Sequence, residues 1–351
     1  MLDWYSGLIA YDASRLKSDT VYRVDAEGRT LWTSPCWVEV EGSYGQSIQL
    51  RRKEAPPGMG LWLPGHELEN DVFSSSNLLQ VSGNPVKYLQ GHNAFGPSVA
   101  LLQPILKGMV KELPRKIRPE NADSDAWPET RTSRVDIAVA IEMGSHQDVH
   151  EWLRSVGTAS RSRHGRALVS GDTVYWGQHS RRWTIKAYCK FCEMAEHRTG
   201  DLRLNEVLRE YVRNQLRLEL TLRTPELKDK DTLDESILWD YFQRIQIGVL
   251  EMDRLRDIEK LPRGTQLCLL KWYNDGDVKN IYKRRTFYYH RRIILEEMGV
   301  DISISPQEQQ SILKRVKYDG KYLMEHEVKK VPGFLQGWLF KPELSYVNQL
   351  S

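Results

Sequence analysis

Three stretches of the chain alternate between apolar and polar residues with period two, so each resolves into two faces when extended. Over 133–142, Val135, Ile137, Val139 and Ile141 oppose Arg134, Asp136, Ala138, Ala140 and Glu142. Over 183–191, Trp183, Ile185, Ala187 and Phe191 oppose Thr184, Lys186, Tyr188 and Lys190. Over 215–223, four leucines (216, 218, 220 and 222) oppose Arg217, Glu219, Thr221 and Arg223. Each stretch reads as a strand with one face for a core and a polar face left for water or for chemistry.

Aromatic and β-branched runs predict further strands at 4–11, 29–41, 46–52 and 77–82. Residues 82–97, punctuated by Pro, Gly and Asn, and the proline-bearing stretch 114–132 read as loops. Helical spacing predicts helices over 98–113, interrupted near Pro104, over 146–156 behind a Ser145 cap, and over 202–214 behind an Asp201 cap. After residue 225 the pattern turns helical. It covers 233–252 and two or three short helices within 265–298, broken at Asn274–Gly276. The last opens at Thr286 as N-cap and stops at Gly299, while 303–351 has no assignable pattern. The predicted fold class is α+β: a largely antiparallel sheet covered by helices on one face over 1–225. A mostly helical region follows over 226–351, with a helix-turn-helix at about 265–300.

The chain has 351 residues, 40% hydrophobic and 28% charged, enough for one sizeable core and a smaller one. No apolar run is long enough to span a bilayer, and the first ten residues carry Asp3 but no basic segment. A cytoplasmic protein without a membrane partner is therefore expected. Net charge is only +3, but the basic residues cluster. Arg154, Arg161, Arg163, His164, Arg166, Arg181 and Arg182 form one group; Lys283, Arg284, Arg285, Arg291 and Arg292 form another. Interleaved with Tyr and Trp, they suit a phosphate backbone and stacked bases. Of four cysteines, Cys189 and Cys192 make a C-x-x-C without a matching second pair. At the end of a strand, residues three apart face opposite sides, so four free structural thiols are expected. His146 and His150 stand at i, i+4 without a zincin glutamate and read as the exposed first turn of a helix.

If the three polar faces adjoin, Asp136 and Glu219 converge near the Tyr188 hydroxyl. Two carboxylates suit Mg²⁺ or Mn²⁺, which would bind a phosphate and stabilise its developing charge. Tyr188 would be the nucleophile, with Lys186 and Lys190 favouring phenolate and holding the phosphate. Tyrosine attack on phosphorus conserves the phosphoester and frees a 3′-hydroxyl, which fits nicking and joining better than hydrolysis. Glu193 has the wrong parity to join the site unless the strand ends before it. The alternative is that these polar faces simply meet solvent.

The segment SGNPVKYLQGHNAFGP (82–97), with its long core LQGHNAFGP, resembles the signature of the filamentous-phage gene II family of replication initiation endonucleases. SRVDIAVA (133–140), SRRWTIKAYCKFCE (180–193) and LRLELTLR (216–223) are similar to the family's aspartate strand, its tyrosine segment and its Arg-x-Glu strand, in the family's order. The same series resembles rolling-circle plasmid initiators. The segment 272–302 resembles the gene X-type C-terminal region and reads as a helix-turn-helix. The resemblance implies Tyr188 as nucleophile, Asp136 and Glu219 as metal ligands and Lys190 as a phosphate contact. It makes His92 and Asn93 candidates for the site, with loop stabilisation equally open for them. Arg134, Arg181, Arg182, Arg217, Arg284, Arg285, His290, Arg291 and Arg292 are the expected DNA contacts. The implied substrate is double-stranded origin DNA, with the displaced single strand, a host polymerase and a helicase as partners in a bacterial cytoplasm. A non-catalytic helix-turn-helix regulator is the alternative.

Overall fold

The computed structural model describes the chain except for residues 55–77, 124–128, 197–201, 229, 231, 248–257, 299, 308–318 and 344–351. The strands are β1 (Leu2–Asp12), β2 (Thr20–Val24), β3 (Thr30–Pro35), β4 (Val38–Glu41), β5 (Ser47–Lys53), β6 (Leu78–Gly83), β7 (Thr130–Glu142), β8 (Ser160–Ser162), β9 (Gly165–Arg166), β10 (Leu168–Ser170), β11 (Thr173–Trp176), β12 (Trp183–Cys189), β13 (Gln215–Arg223) and β14 (Gln246–Ile247). Nine of them form one antiparallel sheet in the order β10-β11-β12-β13-β7-β1-β6-β5-β4. The three strands with two-faced patterns are therefore neighbours. Their leucine, valine and isoleucine faces point into one large core.

The helices are α1 (Pro85–Gln90), α2 (Leu102–Lys111), α3 (His146–Ala159), α4 (Lys190–Glu196), α5 (Leu202–Tyr211), α6 (Thr224–Leu227), α7 (Ser236–Phe242), α8 (Arg263–Asp275) and α9 (Arg284–Met298). Residues of α1, α2, α3 and α7 bury Val86, Ile105, Trp152 and Phe242 in the main core, on the sheet's apolar face. A smaller cluster roofs part of the other face. There Ala94 and Phe95 pack with Met194 of α4, Leu208 of α5, Val212 and Leu335. The α+β architecture, a large antiparallel sheet with helices packed against it, stands.

Several boundaries differ from expectation for local reasons. The segment read as a loop at 82–97 contains α1. Asn84 caps it by accepting from the Lys87 N–H (2.8 Å), Pro85 stands in its first turn, and Gly91 ends it with φ 84°. The loop signals there are the start and stop of a short helix. Pro104 lies in the first turn of α2, where a missing N–H interrupts nothing. The strand predicted to reach residue 191 stops at Cys189, and Lys190 opens α4. α9 starts at Arg284, two residues before the proposed Thr286 cap. Ser145 caps α3 as expected, accepting from the Asp148 N–H (3.1 Å). The Asp201 cap, the Gly299 stop, residue 77 of the strand at 77–82 and residues 248–252 of the long helix lie outside the described residues.

The main core does not end at residue 225. Ile237, Leu238, Trp239, Tyr241, Phe242 and Ile245 belong to it, as does Leu323 from the short helix Gly320–Glu325. A separate core gathers Leu261, Cys268, Leu269 and Trp272 from around α8 with Phe287, Ile294, Val300 and Ile302 from around α9. Among the described residues, no helix is long and apolar enough to cross a membrane.

Candidate active site

The register of the central strands sets the site. Lys186 on β12 stands directly opposite Glu219 on β13, and Tyr188 opposite Arg217. Across the other edge of β13, Thr221 stands opposite Asp136, so Asp136 and Glu219 share the polar face on the diagonal. The Tyr188 hydroxyl donates to Glu219 Oε1, and Lys186 Nζ pairs with Glu219 Oε2 at 2.5 Å. A cleft of about 530 Å³ opens above them. Asp3, Asn93, Tyr175, Lys186, Tyr188, Glu193 and Glu219 line it, with Cys189, Cys192 and the turn 170–173.

Asp3 is the carboxylate the sequence reading missed. The pairing of β1 with β7 shifts register between Leu2 and Trp4, and Asp3 falls in that irregularity. It is buried and accepts from Asn93 Nδ2 (2.9 Å) and Asn84 Nδ2 (3.2 Å). The available signal was an acid set in an otherwise apolar and aromatic run, MLDWYSGLIA. Asp136 is instead held by Arg134 through two hydrogen bonds, at 2.8 and 2.6 Å, and does not line the cleft. Arg134 in turn lies over the Trp4 ring.

Lys190 is fully buried and donates to Asn93 Oδ1 (2.8 Å) and to Glu193 Oε2 (2.7 Å). Glu193 reaches the cleft because β12 ends at Cys189 and the helical turn brings it round. Arg217 is 1% exposed, and its Nη2 donates to the backbone carbonyls of Asn93 (2.5 Å) and Ala94 (2.9 Å). It clamps the loop and is shut off from DNA. His92 is also buried. Its Nε2 contacts the Trp338 carbonyl at 3.3 Å, its ring packs on Phe95, and it does not line the cleft. His92 is thus a brace for the 91–97 loop, whereas Asn93 touches both Asp3 and Lys190.

Electrostatics follow from burial and from the crowding of acids. Burial and the neighbouring Asp3 carboxylate push Glu219 up to about 7, against the pull of Lys186. Burial, Glu219 and Asp3 raise the Tyr188 phenol well above its ordinary value. The expectation that Lys186 and Lys190 favour phenolate therefore fails here, because both ammoniums are engaged by acids. Burial opposes the charge on Lys186, but Glu219 outweighs it and lifts the amine to about 12. Burial and Arg217 lower Lys190. Burial raises Asp3, but Lys190, Arg217 and Lys186 more than offset that and hold it low.

Of the remaining expected DNA contacts, Arg181 is exposed and Arg182 is exposed but paired with Glu226. In the C-terminal core, His290 is buried against Thr265 (Nδ1 to Oγ1, 3.0 Å), and Arg291 is held by Asp301 at 2.6 Å. His290 is turned inward, while Arg291 is partly exposed and engaged by Asp301. Arg284, Arg285 and Arg292 are exposed on α9.

Residues 1–241 match the family described as the N-terminal part of the phage replication-associated protein of the gene II type. The chain is also 28% identical, over 320 residues, to the gene II-type replication-associated protein of Enterobacteria phage I2-2, covering 87% of this chain and 88% of that relative. The matched residues include β1 with Asp3, the Asn93 loop and all three strands of the cleft, so the chain belongs to the gene II-type family of phage replication-associated proteins.

Proposed function

We propose that this protein initiates rolling-circle replication by nicking one strand of double-stranded replicative-form DNA at its origin, with Tyr188 as nucleophile. The observation that carries this reading is the Tyr188 hydroxyl donating to buried Glu219 at the floor of a cleft flanked by Lys186 and Asp3. A tyrosine on the apolar side of β12 would have no such access.

The step is a transesterification. Tyr188 Oη attacks phosphorus, and its proton passes to the Glu219 carboxylate, already its hydrogen-bond acceptor. The bond from phosphorus to the 3′-oxygen breaks, and the departing 3′-alkoxide is protonated from Lys186 or water. The products are a 5′-phosphotyrosyl link and a free 3′-hydroxyl, and attack by another 3′-hydroxyl reverses the reaction and rejoins the strand. Glu219 is suited to the proton's return, because a carboxyl near 7 exchanges protons readily at neutral pH.

Asp3 and Glu219, with Glu193 at the rim, are the residues fitted to hold Mg²⁺ or Mn²⁺. The buried Asp3 carboxylate raises the proton affinity of buried Glu219, a crowding of acids that a bound cation would relieve. When bound, such a cation would supply charge stabilisation to the scissile phosphate. Asp136 stands one layer back, orienting Arg134 beside the cleft.

Incubation with supercoiled origin DNA and Mg²⁺ tests the reading. The native protein is expected to give nicked circles and a covalent protein–DNA adduct. Tyr188→Phe is expected to bind the same DNA and yield neither product. Equal nicking by Tyr188→Phe would remove Tyr188 from the reaction. Binding without nicking by the native protein would favour a non-catalytic regulator.

A further inference from the structure

The thiols expected to face opposite ways come together with two imidazoles. β12 ends at Cys189, and the chain turns at once into α4, so Cys192 lies one helical turn on and on the same side. His146 and His150 stand one above the other on the first turns of α3, at i, i+4. One ligand atom from each of the four residues falls within 4.8 Å of all the others. All four cysteines of the chain are free thiols.

The distances match one metal geometry. A tetrahedral zinc ion with bonds of about 2.0–2.1 Å to nitrogen and 2.3 Å to sulfur requires about 3.3 Å between nitrogens and 3.6 Å between nitrogen and sulfur. Here the two Nε2 atoms are 3.2 Å apart. Cys192 Sγ lies 3.6 Å from His146 Nε2 and 3.5 Å from His150 Nε2. Two imidazole nitrogens aimed at each other and at one sulfur converge on a shared point, as ligands do around a cation. The rings are fixed from outside, with His146 edge-on to both His150 and Phe191.

We infer that His146, His150, Cys189 and Cys192 form a structural zinc site of the Cys₂His₂ type, next to the Tyr188 cleft but independent of nicking chemistry. Four protein ligands leave no position for water or substrate, so the ion ties elements together and does not react. It joins the start of α3 to the junction of β12 and α4. Tyr188 and Lys190 flank Cys189 in the chain, so the ion fixes the backbone from which both reach their partners. Soft thiolates and imidazoles choose zinc over the hard cation fitted to Asp3 and Glu219, so the two sites take different metals.

Elemental analysis of the full-length protein after gel filtration reads the site without DNA. The expected result is one zinc per chain. A zinc-binding dye should report its release when a mercurial captures the thiols. Replacement by Co²⁺ should give the visible bands of a tetrahedral ion with thiolate charge transfer. Cys192→Ser and His150→Ala should each lose most of the zinc, while Cys36→Ser with Cys268→Ser, and Tyr188→Phe, should keep it. The native stoichiometry and cobalt spectrum decide the matter even if a ligand variant does not fold. Trace zinc only, a cobalt spectrum without sulfur ligation, or a Cys189–Cys192 disulfide in the purified protein would overturn the assignment. A nicking-dead preparation that holds its zinc would fail the proposed function and leave this site standing.

Discussion

Glu219 accepts the Tyr188 hydrogen bond and also neutralises Lys186, and its burial sets how it does both. Its carboxyl is raised from 4.5 to about 7, so the folded protein holds that proton where the unfolded chain has lost it. The resulting stability is full below about pH 4.5 and is lost as pH rises through 7. His92 runs the other way. Burial lowers it from 6.5 to about 4, so its contribution is present above pH 6.5 and is lost as pH falls through 4. The windows overlap and the slopes oppose, so these two contributions work against each other in the native protein. Glu219→Gln should gain stability relative to native as pH rises from 4.5 to 7, by up to roughly 3 kcal/mol. His92→Gln should be least stable relative to native at neutral pH, with the gap closing toward pH 4. Urea midpoints across that range would show it, and variant curves parallel to the native one would contradict both assignments. At this scale the sequence was readable where strand parity alone decides: Lys186, Tyr188 and Glu219 share a face because β12 and β13 pair in register. It was not readable at Asp136, whose i−2 neighbour Arg134 captures it. Nor was it readable at Asp3, which a register shift delivers to the cleft.

At the scale of elements, strands announced themselves and junctions did not. Period-two alternation located β7, β12 and β13, but nothing in it marks that β12 yields to α4 at Cys189, and that junction brings Glu193 and Cys192 to their places. α9 shows the same limit on a helix. Its basic residues look equivalent in the sequence, yet His290 turns inward to Thr265 and Arg291 is tied to Asp301. Of the basic residues expected from the sequence to contact DNA on this helix, Arg284, Arg285 and Arg292 are exposed. If α9 lies against DNA as the sequence leads one to expect, replacing those three by alanine should weaken binding uniformly across sequences. It should also flatten the dependence of log K on log salt by about 0.9 for each phosphate no longer neutralised. His290→Ala should instead lower the stability of the α8–α9 core. Filter binding at several salt concentrations, beside thermal melts, separates the two; an unchanged salt slope in the triple variant would remove this helix from the interface.

Across the whole molecule, residues 328–340 close over the unit that carries the cleft, which no local pattern could disclose because their partners are far away in the chain. Val328 donates its N–H to the Ala140 carbonyl near the end of β7 (2.8 Å), and Leu335 packs in the Phe95 cluster. The Trp338 carbonyl meets His92, and the Phe340 N–H donates to Gln90 Oε1 (2.9 Å). Gln90 Nε2 in turn donates to the Phe95 carbonyl (2.6 Å), so the tail braces the same loop that aims Asn93 at Asp3 and Lys190. The Phe340 ring lies against Gly108 within α2, where an added Cβ would come within 2.7 Å of it. That packing makes the clasp testable without touching the cleft. Alanine in place of a helix-interior glycine ordinarily stabilises by about 1 kcal/mol. In the full chain, Gly108→Ala must push the Phe340 ring aside, so the gain should vanish or reverse. In a Phe340→Ala background the same change should recover its ordinary value, making the pair non-additive by about 1 kcal/mol or more. Additive melting temperatures in the four proteins of this cycle would mean that the tail does not rest on α2, and that the loop carrying Asn93 holds its place without it.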